Sequence, residues 1–415
     1  MTGLSRRRML LGGAVAGAGV AALTACTGRD EETAAQAAQA ARLRIGSDTL
    51  PFHGTHQTGV TAQPQAHATL VALTLRESAD RDAVRRMLQV LTDDAARLTQ
   101  GRGALADTEP ELAQTPARLT VTFGFGPELV RRVAGDSAVP SWLRPLPAFS
   151  IDRLEDRWND GDLLLQIAAD DAVTIAHATR MLLKSARSTA VPRWRQSGFR
   201  RSRGSEKPGT TMRNLFGNVD GTVNLHPQDD DFAQSVWVQD GWLAGGTSLV
   251  VRRIRMDLDG WDRLDVPGRD QAIGRRQSDG SPLTGESEFD EPDFEAIGPH
   301  GFTVIPDFSH IARARGDDTR PTMLRRSYNY DDDLAVGGRT GDGAAGGAAD
   351  PDGEISDSGL LFLAYQADVD EGFVPVQRRL AELDLLNQWT TPVGSAVFAI
   401  PPGCREGGFV GETLF

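Results

Sequence analysis

Three short runs hold the side chains best suited to chemistry. In Asn214-Leu215-Phe216-Gly217-Asn218-Val219-Asp220-Gly221-Thr222, two glycines bracket an aspartate. Glycine lets the backbone turn tightly, so the run can present one carboxylate into a cavity. The run Ile305-Pro306-Asp307-Phe308-Ser309-His310-Ile311-Ala312-Arg313 contains His310. In Met323-Leu324-Arg325-Arg326-Ser327-Tyr328-Asn329-Tyr330 an arginine pair enters a strand-like run. Neighbours on a strand point to opposite faces, so only one of the two can face a given site. A carboxylate moves protons, an imidazole holds a metal or moves a proton, and a guanidinium stabilises developing negative charge. Taken singly, Asp-Gly is usually a turn and a lone histidine is usually a hydrogen-bonded structural residue. The weight lies in the three runs together.

Other chemistries lack their residues. The chain has no P-loop, no GxSxG, no CxxC and no HExxH. A hydrolase triad or a structural zinc site therefore has no support. Two cysteines cannot make a disulfide framework. With 44 basic and 57 acidic side chains the net charge is −13, which argues against nucleic acid as the main partner.

The elements that must position these runs read as alternating strands and helices. Strands are predicted at Ala68–Leu75, 119–125, Leu163–Ala168, Ser248–Met256, Leu360–Tyr365 and Ala396–Ile400. Helices are predicted over Asp80–Leu98, Asp171–Ser185 and Phe373–Leu383. In the first of these, Val84, Met87, Leu88, Leu91, Ala95 and Leu98 share one face. Strand–helix–strand, twice over in 415 residues, predicts an α+β fold of two halves with helices packed on antiparallel sheets. The halves are placed at 51–235 and 236–415. An acidic, Gly/Ala-rich stretch at 330–358 cannot bury a core and is expected to be a mobile surface loop.

The N-terminus reads as an address. Ser5-Arg6-Arg7-Arg8-Met9-Leu10 precedes an uncharged run to Ala25, as in a signal peptide. The arginines beside Ser5 resemble a twin-arginine signal, and Leu23-Thr24-Ala25-Cys26 resembles a lipobox. The expectation is a leader over 1–25, export by the twin-arginine machinery, and a lipid anchor on Cys26 at the outer face of the membrane. Residues 26–50 are small and polar and read as a flexible tether. Loss of the leader's three arginines makes the mature charge −16.

These runs, together with Pro51-Phe52-His53-Gly54-Thr55-His56-Gln57-Thr58-Gly59 and Gly408-Phe409-Val410-Gly411-Glu412-Thr413-Leu414-Phe415, resemble those of a DyP-type (dye-decolorizing) haem peroxidase. The similarity is to the exported bacterial branch that includes deferrochelatase-like proteins, and it runs from about residue 51 to the last residue. It implies two ferredoxin-like halves of the dimeric α+β barrel type, with haem b (iron protoporphyrin IX) in the second. It implies a peroxidase that reduces hydrogen peroxide through a ferryl intermediate and oxidises dyes, phenols or other one-electron donors. His310 would be the axial iron ligand, Asp220 the distal acid/base and Arg325 the distal cation. Phe362 would lie over the haem, Arg275 would pair with a propionate, and Ser327 departs from the family's usual glycine in LRRGY.

Alternatives stand beside these roles. Arg326 could be the distal arginine, His226 the distal base, and either Asp384 or Asp307 the partner of the axial histidine. Tyr328, Tyr330, Tyr365, Trp389 and Trp237 are candidates for passing electrons from bulky donors, with core packing as the plainer reading. The rival function is a deferrochelatase-like release of iron from haem. A third reading, haem binding without catalysis, is disfavoured by an acid–arginine pair that storage does not need.

Overall fold

Each of the expected strands forms, and alternation decides what each one buries. The computed structural model describes residues 45–315, 323–332 and 357–415. The leader, Cys26 and most of the acidic stretch lie outside the described residues. Strand β1 (His67–Leu75) runs antiparallel between β3 (Leu163–Ala169) and β4 (Ala190–Phe199), and β2 (Thr120–Phe125) flanks β3. The helices Arg81–Leu98 and Ala172–Ala186 start at Asp80 and Asp171, whose carboxylates accept from Ala83 N and Thr174 N. Such caps satisfy otherwise orphaned helix donors.

The second half repeats the plan. Strand β5 (Thr247–Met256) lies between β8 (Asp357–Gln366) and β9 (Thr390–Ile400). Two short strands, β6 (Leu324–Arg325) and β7 (Tyr328–Asp332), run along the other edge of β8. The orders β2-β3-β1-β4 and β6/β7-β8-β5-β9 are the same ferredoxin-like order. Both halves also shift register at a proline: Pro192 on β4 opposite Leu73, and Pro392 on β9 opposite Ile254. Proline cannot donate to a ladder, so an irregularity accommodates it.

Single pairings, Phe125 with Ala399 and Phe199 with Asn329, join the two sheets at both edges and close a barrel. Its interior is mainly apolar, with Leu70, Leu164, Leu249, Leu363, Tyr365 and Phe398 in one buried cluster. The alternate residues of the first sheet, such as Val71, Leu165 and Phe123, pack outward in the large cluster that includes Val84 and Leu88 of the Arg81–Leu98 helix. Outside the second sheet a smaller cluster forms around Phe216, Met256, Trp261, Ile273 and Leu360.

The run at 51–59 acts at one seam. Proline at 401 and 402 leaves the chain after β9 without ladder donors there. The buried Gln57 amide fills in. Its Nε2 donates to the carbonyls of Phe123 and Pro401, each at 3.0 Å, and its Oε1 accepts from Phe123 N at 2.7 Å. A buried Phe123 N–H left unpaired would cost about 1–3 kcal/mol.

Two boundaries need correction. The tether drawn to residue 50 meets the body sooner, because Gly46 and Asp48 carbonyls accept from Ala117 and Arg118 at 2.8 and 2.7 Å. The acidic loop drawn at 330–358 has strand at both feet: Tyr330 to Asp332 belong to β7, and Asp357 and Ser358 to β8. Asp332 and Asp357 face each other in register, which alone would be repulsive. Arg253 contacts both carboxylates, at 3.2 and 2.9 Å, and removes the penalty.

Candidate active site

His310 opens the short helix His310–Arg315, after a turn in which Ser309 N donates to the Pro306 carbonyl. Leu385 N donates to the Phe308 carbonyl at 2.9 Å and fastens that turn to the segment after Leu383. The same segment supplies Asp384, whose carboxylate is nearly fully buried. Its Oδ2 lies 2.7 Å from His310 Nδ1, and its Oδ1 accepts from Leu386 N at 3.0 Å. Both oxygens are therefore fixed. Asp307, the other candidate partner, is exposed. Burial pushes the His310 imidazolium down, but the charge and hydrogen bond of Asp384 more than reverse this, so the ring titrates above the usual histidine range.

Asp220 sits in a loop built to expose it. Gly217 and Gly221 have φ of 81° and 126°, where a side chain would be strained. Asn214 Oδ1 accepts from Phe216 N and Asn218 N, and Asp220 N donates to the Met212 carbonyl at 2.8 Å. The carboxylate receives a long contact of 3.4 Å from Asn214 Nδ2 and faces Arg325 Nη1 at 3.6 Å. Asp220 and Arg325 are 19% and 26% exposed, so the pair is shielded yet open on one side. Both charges act on the His310 ring, which brings the three runs into one site.

The arginine pair is resolved by strand parity. Arg325 pairs with Ala364 of β8, and Leu324 with Tyr365. Tyr365 and Leu324 belong to the barrel interior, so Arg325 lies on the outer face, beside Ala364 and Phe362. Arg326 is buried and turned the other way, where it donates to the Ala62 carbonyl and, at 2.7 Å, to Gln65 Oε1. His226 is exposed in a turn, its N–H donating to Asp229 at 2.7 Å.

Phe362 stands on the same outer face, 6.1 Å from the Phe373 ring, and packs on the cluster of Leu360 and Trp261. Ser327 is buried on Arg325's face by alternation, and its carbonyl accepts from Arg200 Nε at 2.7 Å. Arg275 is buried, and its Nη1 is committed to the carbonyls of Gly280 and Glu288 at 2.8 and 2.7 Å. The three tyrosines are core, not surface relays: all are 0% exposed, and the Tyr328 and Tyr330 hydroxyls are buried without hydrogen-bond partners among the described residues.

Sequence reasoning gave Asn214 no role and missed Asn224 and Glu288. Glu288 Oε1 accepts from both Thr211 and Thr222, at 2.5 and 3.0 Å, and ties the Asp220 loop to the segment that holds Arg275. Asn214 bonds within its own run, but nothing local marks Asn224 or Glu288, because their partners lie far away in the chain.

The donor set fits haem. One imidazole has its Nδ1 held by a buried carboxylate, which leaves Nε2 for iron and raises its basicity. Apolar Leu360 and Phe362 supply a wall, and the acid and arginine that also act on the His310 ring suit oxygen chemistry.

Comparisons with known proteins agree. A family profile described as "Dyp-type peroxidase, N-terminal" matches residues 57–200, and one described as "Dyp-type peroxidase, C-terminal" matches residues 211–405. The chain is 34% identical to a dye-decolorizing peroxidase of Thermobifida fusca, over 99% of this chain and 97% of that one. It is 32% identical to a deferrochelatase of Escherichia coli O157:H7, over 99% and 96%. A crystal structure of a DyP-type peroxidase from Cellulomonas bogoriensis is 51% identical, with a TM-score of 0.81 over 89% of this chain and 99% of that one.

Proposed function

This chain belongs to the Dyp-type peroxidase family of haem enzymes, and we propose that His310 holds the iron while Asp220 and Arg325 handle peroxide. The observation that carries this reading is the open Asp220–Arg325 pair acting on the same ring that Asp384 fixes from behind. When bound, haem supplies the electrons that reduce the O–O bond. The protein's part is proton movement and charge. The Asp220 carboxylate takes the proton from one peroxide oxygen and returns it to the other, which leaves as water. Arg325 stabilises the negative charge that builds on the departing oxygen. Phe362 would present apolar surface to the haem, Arg275 would meet a propionate through the guanidinium atoms not committed to Gly280 and Glu288, and Ser327 would set the local hydrogen bonding. A reducing co-substrate such as a dye or phenol then returns the enzyme to its starting state.

Dioxygen-free absorption spectra before and after one equivalent of peroxide test the activity. Intact haem with an oxidised donor supports the peroxidase; free protoporphyrin would favour the deferrochelatase-like alternative. The identity of the base is read from pH. Carboxylates ordinarily titrate at about 4 and imidazoles at about 6.5. The acid limb of the peroxide reaction is expected to follow a carboxylate and to be lost in Asp220→Asn. Dye turnover should also favour low pH, because a net charge of −16 repels an anionic dye near neutrality. Salt screens that repulsion and leaves the acid limb in place. An acid limb near 6.5 that survives in Asp220→Asn would assign the base to a histidine.

The same enzyme works outside the cytoplasm in this reading. The Ser5-Arg6-Arg7-Arg8 leader supports export by the twin-arginine route, and Cys26 supports a lipid anchor at the outer face of the membrane. Changing Arg6 and Arg7 to lysine should retain the protein in the cytoplasm, and Cys26→Ser should release it from the membrane fraction. Unchanged fractionation of both variants would overturn the assignment.

A further inference from the structure

The loop that presents Asp220 also grips Arg325. Asn224, four residues beyond the acid, meets β6 edge-on through its side-chain amide. Arg325 N donates to Asn224 Oδ1 at 2.8 Å, and Asn224 Nδ2 donates to the Arg325 carbonyl at 2.9 Å. This reproduces a strand rung with a side chain. It is needed because β6 has only two residues and pairs with β8 on its other edge. The neighbouring Val223 carbonyl accepts from Arg325 Nη2 at 2.6 Å. Backbone and guanidinium of Arg325 are thus both held by residues three and four places after Asp220.

We propose that Asn224 is the positioning residue that sets the Asp220–Arg325 separation, so that one loop carries the acid and fixes the cation opposite it. The proposal rests on the reading of Asp220 and Arg325 as the peroxide-handling pair. Asn224 touches neither peroxide nor haem in this account; it acts through Arg325. Asparagine suits the task because only an amide offers an acceptor and a donor at the spacing of a peptide edge. Alanine offers neither, and the Arg325 peptide would then rely on water for its outer edge.

Two readouts test it on the haem-loaded protein. Native-state hydrogen exchange reports the grip itself: the Arg325 amide should exchange at least tenfold faster in Asn224→Ala, while amides of β5 keep their wild-type rates. Rapid-mixing rates with peroxide report the consequence. A misplaced catalytic group costs about ten- to a hundredfold, so Asn224→Ala should slow the reaction by that amount. Residues acting as a unit are non-additive. On an Arg325→Leu background, Asn224→Ala should therefore change the rate by less than about twofold. Multiplicative losses in the double variant would mean a general structural role and overturn the proposal. So would unchanged Arg325 exchange. If Asn224→Ala does not fold, Asn224→Ser, a smaller lesion, passes through the same cycle with the same expected signs. An Arg325→Leu rate equal to wild type would instead remove the underlying reading, and the proposal with it; a slow Arg325→Leu with a normal Asn224→Ala would remove the proposal alone.

Discussion

Replacing His310 by alanine leaves a protein that folds but is isolated with little haem. The ring is held from behind by Asp384 at 2.7 Å, and two histidines that could otherwise serve as ligand, His226 and His300, are exposed. Removal of the ring takes away the iron ligand and leaves the Asp384 carboxylate buried with one fewer partner, a cost of about 1–3 kcal/mol. A lowered melting temperature should therefore accompany the lost absorption. The wild-type apoprotein adds a signed pH dependence. Iron needs the neutral ring, and Asp384 holds the ring's proton above the usual histidine range. Haem uptake by apoprotein must then displace a proton, and its affinity should fall as pH drops through a value above about 6.5. Full haem occupancy in His310→Ala with an unchanged ferric spectrum would move the ligand elsewhere.

How far this site was legible in the sequence depends on the range of the signal. Helix Phe373–Leu383 and strands β1 and β3 are recovered to within a residue, since their apolar periodicity is local. Strand β4 was not anticipated: Pro192, Arg193 and Arg195 break the pattern, and only pairing to β1 makes a strand of them. Strand β9 begins at Thr390, six residues before the predicted start, because Pro392 and Gly394 masked it. The chemical residues themselves stood in recognisable runs. Their supports did not. Asp384 was separable from Asp307 only once Leu385 was seen paired with Phe308. Asn224 meets Arg325 across 101 positions and carries no motif of its own. Asparagine and glutamine side chains that imitate backbone, here Asn224 and Gln57, read in one dimension as ordinary polar loop residues.

The adjacent arginines are where the structure adds most, and they set the second large effect. Arg325→Leu is expected to slow the peroxide reaction by roughly 10²- to 10³-fold, since a single donor to a developing oxyanion is worth about 3 kcal/mol. Its guanidinium faces Asp220 at 3.6 Å on the outer face of β6. Arg326→Leu should do the reverse. It removes buried hydrogen bonds to Ala62 and Gln65, so the melting temperature falls, but the peroxide rate of the folded protein stays near wild type. The contrast separates chemistry from folding, because both substitutions delete one charge at neighbouring positions of the same chain. Haem content stays near wild type in both, which keeps the comparison clean. Rapid mixing at a fixed pH above 6 checks it, where the acid limb does not interfere. An Arg325→Leu rate within threefold of wild type, with a slow Arg326→Leu, would place the distal cation on the inward face and undo the parity argument.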